Sequence, residues 1–100
     1  MKVKLIRNKL ALIPKDGIRV EKVDPASPVH RAMLVAKLHE EASEVGNAPR
    51  DVTEYADVME VLLQLAHFNG IPERAIFDCM LAKRTELGGF GHGYYMVREW

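Results

Sequence analysis

The chain has 100 residues, enough for one domain with a single core and too few for separate catalytic and regulatory units. Its 14 basic residues balance its 14 acidic ones, so no net field draws it to nucleic acid or to an anionic membrane, and any activity has to come from local arrangement. The single cysteine, Cys79, excludes a disulfide within the chain and fits a reducing compartment. The opening "MKVKLIRNKLALIP" is basic, but its apolar run is too short for a secretory signal, and no stretch reaches membrane-spanning length. The expectation is a cytoplasmic protein with neither membrane nor nucleic-acid partners.

In chain order, a basic N-terminal arm comes first, set off by Gly17 and by "DPASP". Within it "IRVEKV" alternates apolar and polar residues as a short strand or an extended segment does. Asp24 followed by Pro25 has the form of an N-cap with proline in the first turn, and an apolar pattern of helical period then runs to Val45, with Gly46 as a stop. Asp51, with Glu54 three residues on, has capping-box spacing and opens a second helix that continues to Phe68 before "NG". Pro72 opens a third, which ends near Glu86 or Leu87 at Gly88 and Gly89. The tail "GGFGHGYYMVREW" reads as a loop folding back on the body, and Cys79 and the methionines read as core. The fold class is all-α: one domain over residues 1–100, a helical bundle with a short N-terminal arm.

The first two helices carry the chemistry. At about 100° per residue, Glu41 and Glu44 share a face with Leu34, Lys37, Leu38 and Val45, while Glu54 and Asp57 share one with Val58, Val61 and Leu65. Both acidic pairs lie on the apolar stripe. The short "GNAPR" connection makes the helices antiparallel neighbours, so the stripes face each other and bring the four carboxylates to one end of a shared groove. Like charges converging in a partly dry groove repel and lose hydration, so each takes up a proton or needs a cation, and neutralising one, Asp57 for example, relieves the rest. All-oxygen ligation selects a hard cation, Mg2+ with Mn2+ as the substitute, whereas His39 and His67 project away from the acids and disfavour zinc. The plain alternative is a set of solvated acids, since E-x-x-E is common on exposed helix faces and acids near a helix start favour its dipole.

The run "KLHEEASEV", followed by "EYADVMEVLLQL", resembles the signature of the all-α nucleoside triphosphate pyrophosphohydrolases, the MazG-like superfamily, whose pattern is E-E-x-x-E and then, after a spacer, E-x-x-D. Glu40, Glu41 and Glu44 match the first part, and Glu54 and Asp57 match the second. "KLIRNKLALI" and "KRTELGGFGHG" are also similar to the "KLVRDKIPEII" start and the "K-R-x-x-R-G-G-F-x-x-G" ending of a branch related to phosphoribosyl-ATP pyrophosphohydrolase, so the likeness spans nearly the whole chain. Two positions depart from that pattern. Asn8 stands where the branch often has Asp, which weakens polar pairing within the arm, and Leu87 stands where Arg is frequent, which removes a phosphate contact. The resemblance implies cleavage of a nucleotide between its α and β phosphates, with Mg2+ held by Glu41, Glu44, Glu54 and Asp57. Glu40, about 100° around the helix from Glu41, is placed either to orient the attacking water or a second ion, together with Glu41 as the catalytic pair, or simply to meet solvent.

Basic residues have to balance the substrate's charge. Lys37 reaches either a phosphate or, as an ordinary i, i+4 partner, Glu41. Lys83 and Arg84 precede the glycine turn, where they either meet phosphate or complement the helix dipole, and Arg7 and Lys9 of the arm are similar candidates. The apolar residues of the second helix, from Val58 through Phe68, surround most of its circumference, more than a lone three-helix domain covers. A homodimer forming a four-helix bundle, or a homotetramer of two such dimers, is the expectation, as the resemblance also implies. A non-catalytic helical dimer that binds a nucleotide or a protein is the alternative to the enzyme.

Overall fold

The computed structural model describes residues 3–98. Three α-helices follow the arm: α1 over Pro28–Asn47, α2 over Val52–Phe68 and α3 over Glu73–Leu87. The described residues contain no strand, so residues 18–23 take the extended alternative, and the arm's only regular structure is a 3-10 turn at Asn8–Leu12. None of the helices is long and apolar enough to cross a membrane.

The start of α1 differs from expectation by a whole turn of chain. Ser27 is the N-cap, its hydroxyl accepting from the His30 amide at 3.2 Å, and Pro28 occupies the first helical position, where its missing N–H is no loss. Asp24 instead closes the preceding turn, its carboxylate accepting from the Ala26 amide at 3.0 Å and its carbonyl from the Ser27 hydroxyl at 2.7 Å. At the other end Gly46 is helical and α1 runs on to Asn47. The bounds of α2 agree with the sequence reading. Asp51 caps it, and at its end Asn69 donates to the Leu65 carbonyl while Gly70, at φ 76°, takes the left-handed conformation that a glycine adopts without strain. Pro72 precedes α3, and Gly88, at φ 80°, follows it.

A four-residue turn, residues 48–51, sets α2 antiparallel to α1, and the two helices pack along their length. Leu34, Leu38 and Val45 on α1 and Val58, Val61 and Leu65 on α2, the stripes expected from periodicity, are buried or half-buried, as are Met33 and Phe68, which that reading did not include. α3 touches α2 only at a few positions, with Ile76 and Phe77 half-buried. The core is correspondingly thin. Among the described residues only Leu34 and Glu41 are buried. Tyr55, Met59 and Leu62 form a second apolar stripe on the outer side of α2 and face solvent in the single chain. The tail does not fold back: Phe90, Tyr94, Tyr95, Met96 and Val97 all lie open. Cys79, Met59, Met80 and Met96 are exposed rather than core, because the outer side of α2, α3 and the tail find no cover among the described residues; Met33 is half-buried, and Met1 lies outside the described residues.

The chain exposes 9356 Å², where a compact monomer of its mass, 11.3 kDa, exposes about 5,700 Å². Its radius of gyration is 17.1 Å, against about 13 Å for a compact domain of this length.

The position of the cap is open to direct measurement. Ser27→Ala is expected to destabilise the helix pair by about 1 kcal/mol in urea unfolding, the usual cost of losing an N-cap. Asp24→Ala, which loosens only the preceding turn, is expected to cost less, and the reverse order would return the cap to Asp24.

Candidate metal centre

The helix pair brings its acids together at one end, beside the turn that joins α1 to α2. One carboxylate oxygen each from Glu41, Glu54 and Asp57 lies within 4.8 Å of the other two. Neighbouring oxygens of an octahedral Mg2+ stand about 3.0 Å apart and opposite ones about 4.2 Å, so the three have to draw in by up to roughly 1.8 Å to close on such an ion. The donor set therefore fits a hard divalent cation: it is all oxygen, fixed on two packed helices, and it leaves coordination positions for water or a ligand.

Glu41 is the most confined of the three, 7 % exposed and the only buried charged residue among those described. Lys37, one helical turn earlier, holds it, with Nζ 3.1 Å from Glu41 Oε1 and 3.3 Å from Glu40 Oε1. Burial works to lower the Lys37 pKa, but the hydrogen bonds and charges of Glu41 and Glu40 outweigh it and hold the ammonium above the ordinary lysine value. Of the two roles open to Lys37, the structure displays the partner of the acids. Glu40 lies at the rim, outside the trio, and is also paired with Lys4 of the arm at 3.5 Å.

Asp57 has a different partner. Arg7 reaches across from the arm and donates from Nη2 to Asp57 Oδ1 at 2.6 Å. That hydrogen bond raises the guanidinium pKa against some loss of hydration, and the charges of Asp57, Glu60 and Glu41 add to the effect. The sequence singled out Arg7 as a phosphate ligand without indicating its contact with an acid 50 residues away. The Lys4–Glu40 pair was not anticipated at all. Periodicity fixes a helix face, whereas no local pattern reports where an irregular arm will lie.

Glu54 has no cation of its own among the described residues. Loss of hydration pushes its pKa up, and the charges of Asp51, Glu44, Asp57 and Glu41 push it further. The capping box expected from its spacing is incomplete. Asp51 Oδ1 accepts from the Thr53 amide at 2.9 Å and the Thr53 hydroxyl at 2.7 Å, which hold the Asp51 carboxyl below its ordinary value, while no bond ties the Glu54 carboxylate back to the cap. Glu54 is thereby left to face Glu41 and Asp57. Glu44, expected as the fourth ligand, is exposed and stands outside the trio, contributing its charge rather than an oxygen. The repulsion expected of the group consequently concentrates on Glu54 and not on Asp57, whose charge Arg7 offsets. Lys9, Lys83 and Arg84 are exposed, and none forms an ion pair with these acids among the described residues.

No protein-family model, curated protein or solved structure matches the chain.

The uneven pairing of the acids has a signature in pH. A carboxyl whose folded pKa lies above its unfolded one takes up its proton more readily in the folded state, so it lowers stability above the folded pKa and ceases to do so as the pH falls below the unfolded one. In chelator, Glu54→Gln is expected to raise Tm by a few degrees at pH 7. The difference should shrink to nothing as the pH is lowered through the ordinary glutamate range. Thermal unfolding of both proteins across that range makes the check, and a glutamine variant no more stable than wild type at pH 7 would show that Glu54 is not under strain.

Proposed function

We propose that this chain is a Mg2+-dependent nucleotide pyrophosphohydrolase that cleaves a nucleoside triphosphate, or a nucleotide like phosphoribosyl-ATP, between its α and β phosphates to give a monophosphate and pyrophosphate. The supporting observation is the convergence of Glu41, Glu54 and Asp57 from two antiparallel helices, with oxygens within 4.8 Å of one another. These are the same acids that carry the resemblance to the MazG-like pyrophosphohydrolases. A divalent ion held there supplies charge neutralisation for the phosphates and a more acidic bound water.

In this reading Glu41, Glu54 and Asp57 would supply the ligand oxygens from two packed helices, and Glu44, three residues beyond Glu41, would add its negative charge from the open side. Glu40, held at the rim by Lys4 and Lys37, would orient the attacking water and accept its proton, with Glu41 as the other member of the catalytic pair. Arg7 and Lys37, already at the acids, and Lys9, Lys83 and Arg84 from the arm and α3 supply positive charge for the phosphates.

The test is pyrophosphate release from a panel of nucleoside triphosphates with Mg2+ or Mn2+. Glu41→Gln is expected to lower turnover by more than the roughly 10–100-fold lost with an outer-shell partner of a metal, while circular dichroism retains the helices. Binding of nucleotide with no pyrophosphate from any member of the panel would favour the non-catalytic helical dimer instead.

The same reading includes assembly. The chain exposes 9356 Å², roughly 3,600 Å² more than a compact monomer of its size. An obligate homodimer interface covers about 1,000–2,500 Å² of each subunit, so the excess is as large as one such interface and leaves room for a second. Tyr55, Met59 and Leu62 on α2, with Met80 and Leu81 on α3, supply the apolar surface for it. Sedimentation equilibrium is expected to give a dimer or tetramer at micromolar concentration. Leu62→Glu, which puts a charge on the outer stripe, should shift that mass downward, and a monomer in the wild type would remove assembly from the proposal.

A further inference from the structure

The N-terminal arm is attached to the helices in an unusual way. Of its residues from Val3 to Ile18, only Leu5 is half-buried, and Leu10, Leu12, Ile13 and Ile18 all face solvent. The small crevice between arm and α1, lined by Leu5, Met33 and Ala36 among others, gives little apolar grip. What joins the arm to the body is charge: Lys4 on Glu40 at 3.5 Å and Arg7 on Asp57 at 2.6 Å. Both acids belong to the candidate metal centre or its rim, so the arm's anchor and the cation's ligands compete for the same carboxylates.

We propose that the N-terminal arm is a strap latched across the acidic groove by Arg7 on Asp57, and that a divalent cation bound by Glu41, Glu54 and Asp57 unlatches it. This rests on the metal reading given above. The physical case is one of charge. The Arg7 side chain is 59 % exposed and its Asp57 partner 35 % exposed, a setting in which an ion pair is weakly held. The acids that attract Arg7 are Asp57, Glu60 and Glu41, and two of the three are in the trio. Two positive charges placed a few ångström from the guanidinium cancel that attraction and add repulsion. The Asp57 carboxylate, whose Oδ1 accepts from Arg7, is then drawn towards the ion. In the empty groove Arg7 acts as a built-in counterion.

The experiment uses the full chain with Mg2+ or Mn2+ alone and no nucleotide. Calorimetry measures ion affinity, and hydrogen exchange follows the arm at the Leu10 and Ile13 amides, which close its 3-10 turn on the Arg7 and Leu10 carbonyls. Saturating ion is expected to speed exchange at those amides, and trypsin cleavage at Arg7 and Lys9, by several-fold, while α1 and α2 become more protected. Arg7→Gln is expected to bind the ion several-fold more tightly than wild type, with Arg7→Lys in between, and to show an arm already loose without ion. If ion binds with ordinary heat and the arm stays equally or better protected, or if Arg7→Gln binds the ion more weakly, Arg7 is an orienting partner of Asp57 and the strap is wrong while the metal centre stands. If neither wild type nor Arg7→Gln binds ion, the metal centre and the strap fall together.

Discussion

A turn of four residues, Ala48 to Asp51, folds α2 back on α1, and everything chemical in the chain depends on that antiparallel contact. It decides which residues of the two stripes meet. Because the turn is short, residues near its two ends are opposed, so Glu41 on one helix comes close to Glu54 and Asp57 on the other. The acids gather at the turn, and Leu34, the one buried apolar residue among those described, lies two turns earlier on α1. The cost of gathering them is spread unevenly. Lys37 compensates Glu41, Arg7 compensates Asp57, and Glu54 bears the repulsion.

The two cations on these acids differ in origin. Lys37 is an ordinary i, i+4 partner of Glu41, whereas Arg7 comes from a separate segment, 50 residues from Asp57 in sequence. Here two cations are drawn onto the acids of a chain whose overall charge is zero, and together they moderate a concentrated negative field. The same field selects what can replace those cations. A divalent ion brings the charge of both at a fraction of the volume and accepts oxygens from both helices at once, which neither flexible side chain can do. In the proposed strap the latch and the ligand set are two states of one electrostatic balance, and Arg7 released from Asp57 would be free for an anionic ligand at the same groove.

Much of this was legible in the sequence, and the parts that were not have specific causes. The bounds of α2 followed from Asp51 and from "NG", because side-chain capping and a left-handed glycine are local chemistry. The start of α1 was ambiguous for the same reason. Asp24-Pro25 and Ser27-Pro28 offer the same cap-and-proline form three residues apart, and the choice is made by the Ser27 hydroxyl on the His30 amide. Glu41, Glu54 and Asp57 were placed on facing stripes by periodicity alone, and they do converge. Glu44 was placed with them and does not join. It is displaced from Glu41 by about 60° of rotation and a turn of rise, and whether that still points into the groove depends on how the helices cross. The pairing of Lys4 and Arg7 with acids dozens of residues away had no local signal.

The remaining question for the site is why Lys83 and Arg84, which the resemblance gives to the phosphates, stand apart from the acids. The cause lies in α3. It meets α2 at only a few positions, and its apolar residues Met80, Leu81 and Leu87 are exposed, as are the tail aromatics. A helix with that much uncovered apolar surface is not in its lowest free-energy setting in water, since each apolar side chain left exposed forgoes roughly 1.5–3 kcal/mol of burial. Whatever covers α3 also sets the distance between its basic end and the acidic groove. On the proposed reading, assembly and catalysis would be coupled through this one element, whose uncovered apolar surface carries Arg84 on its last turn.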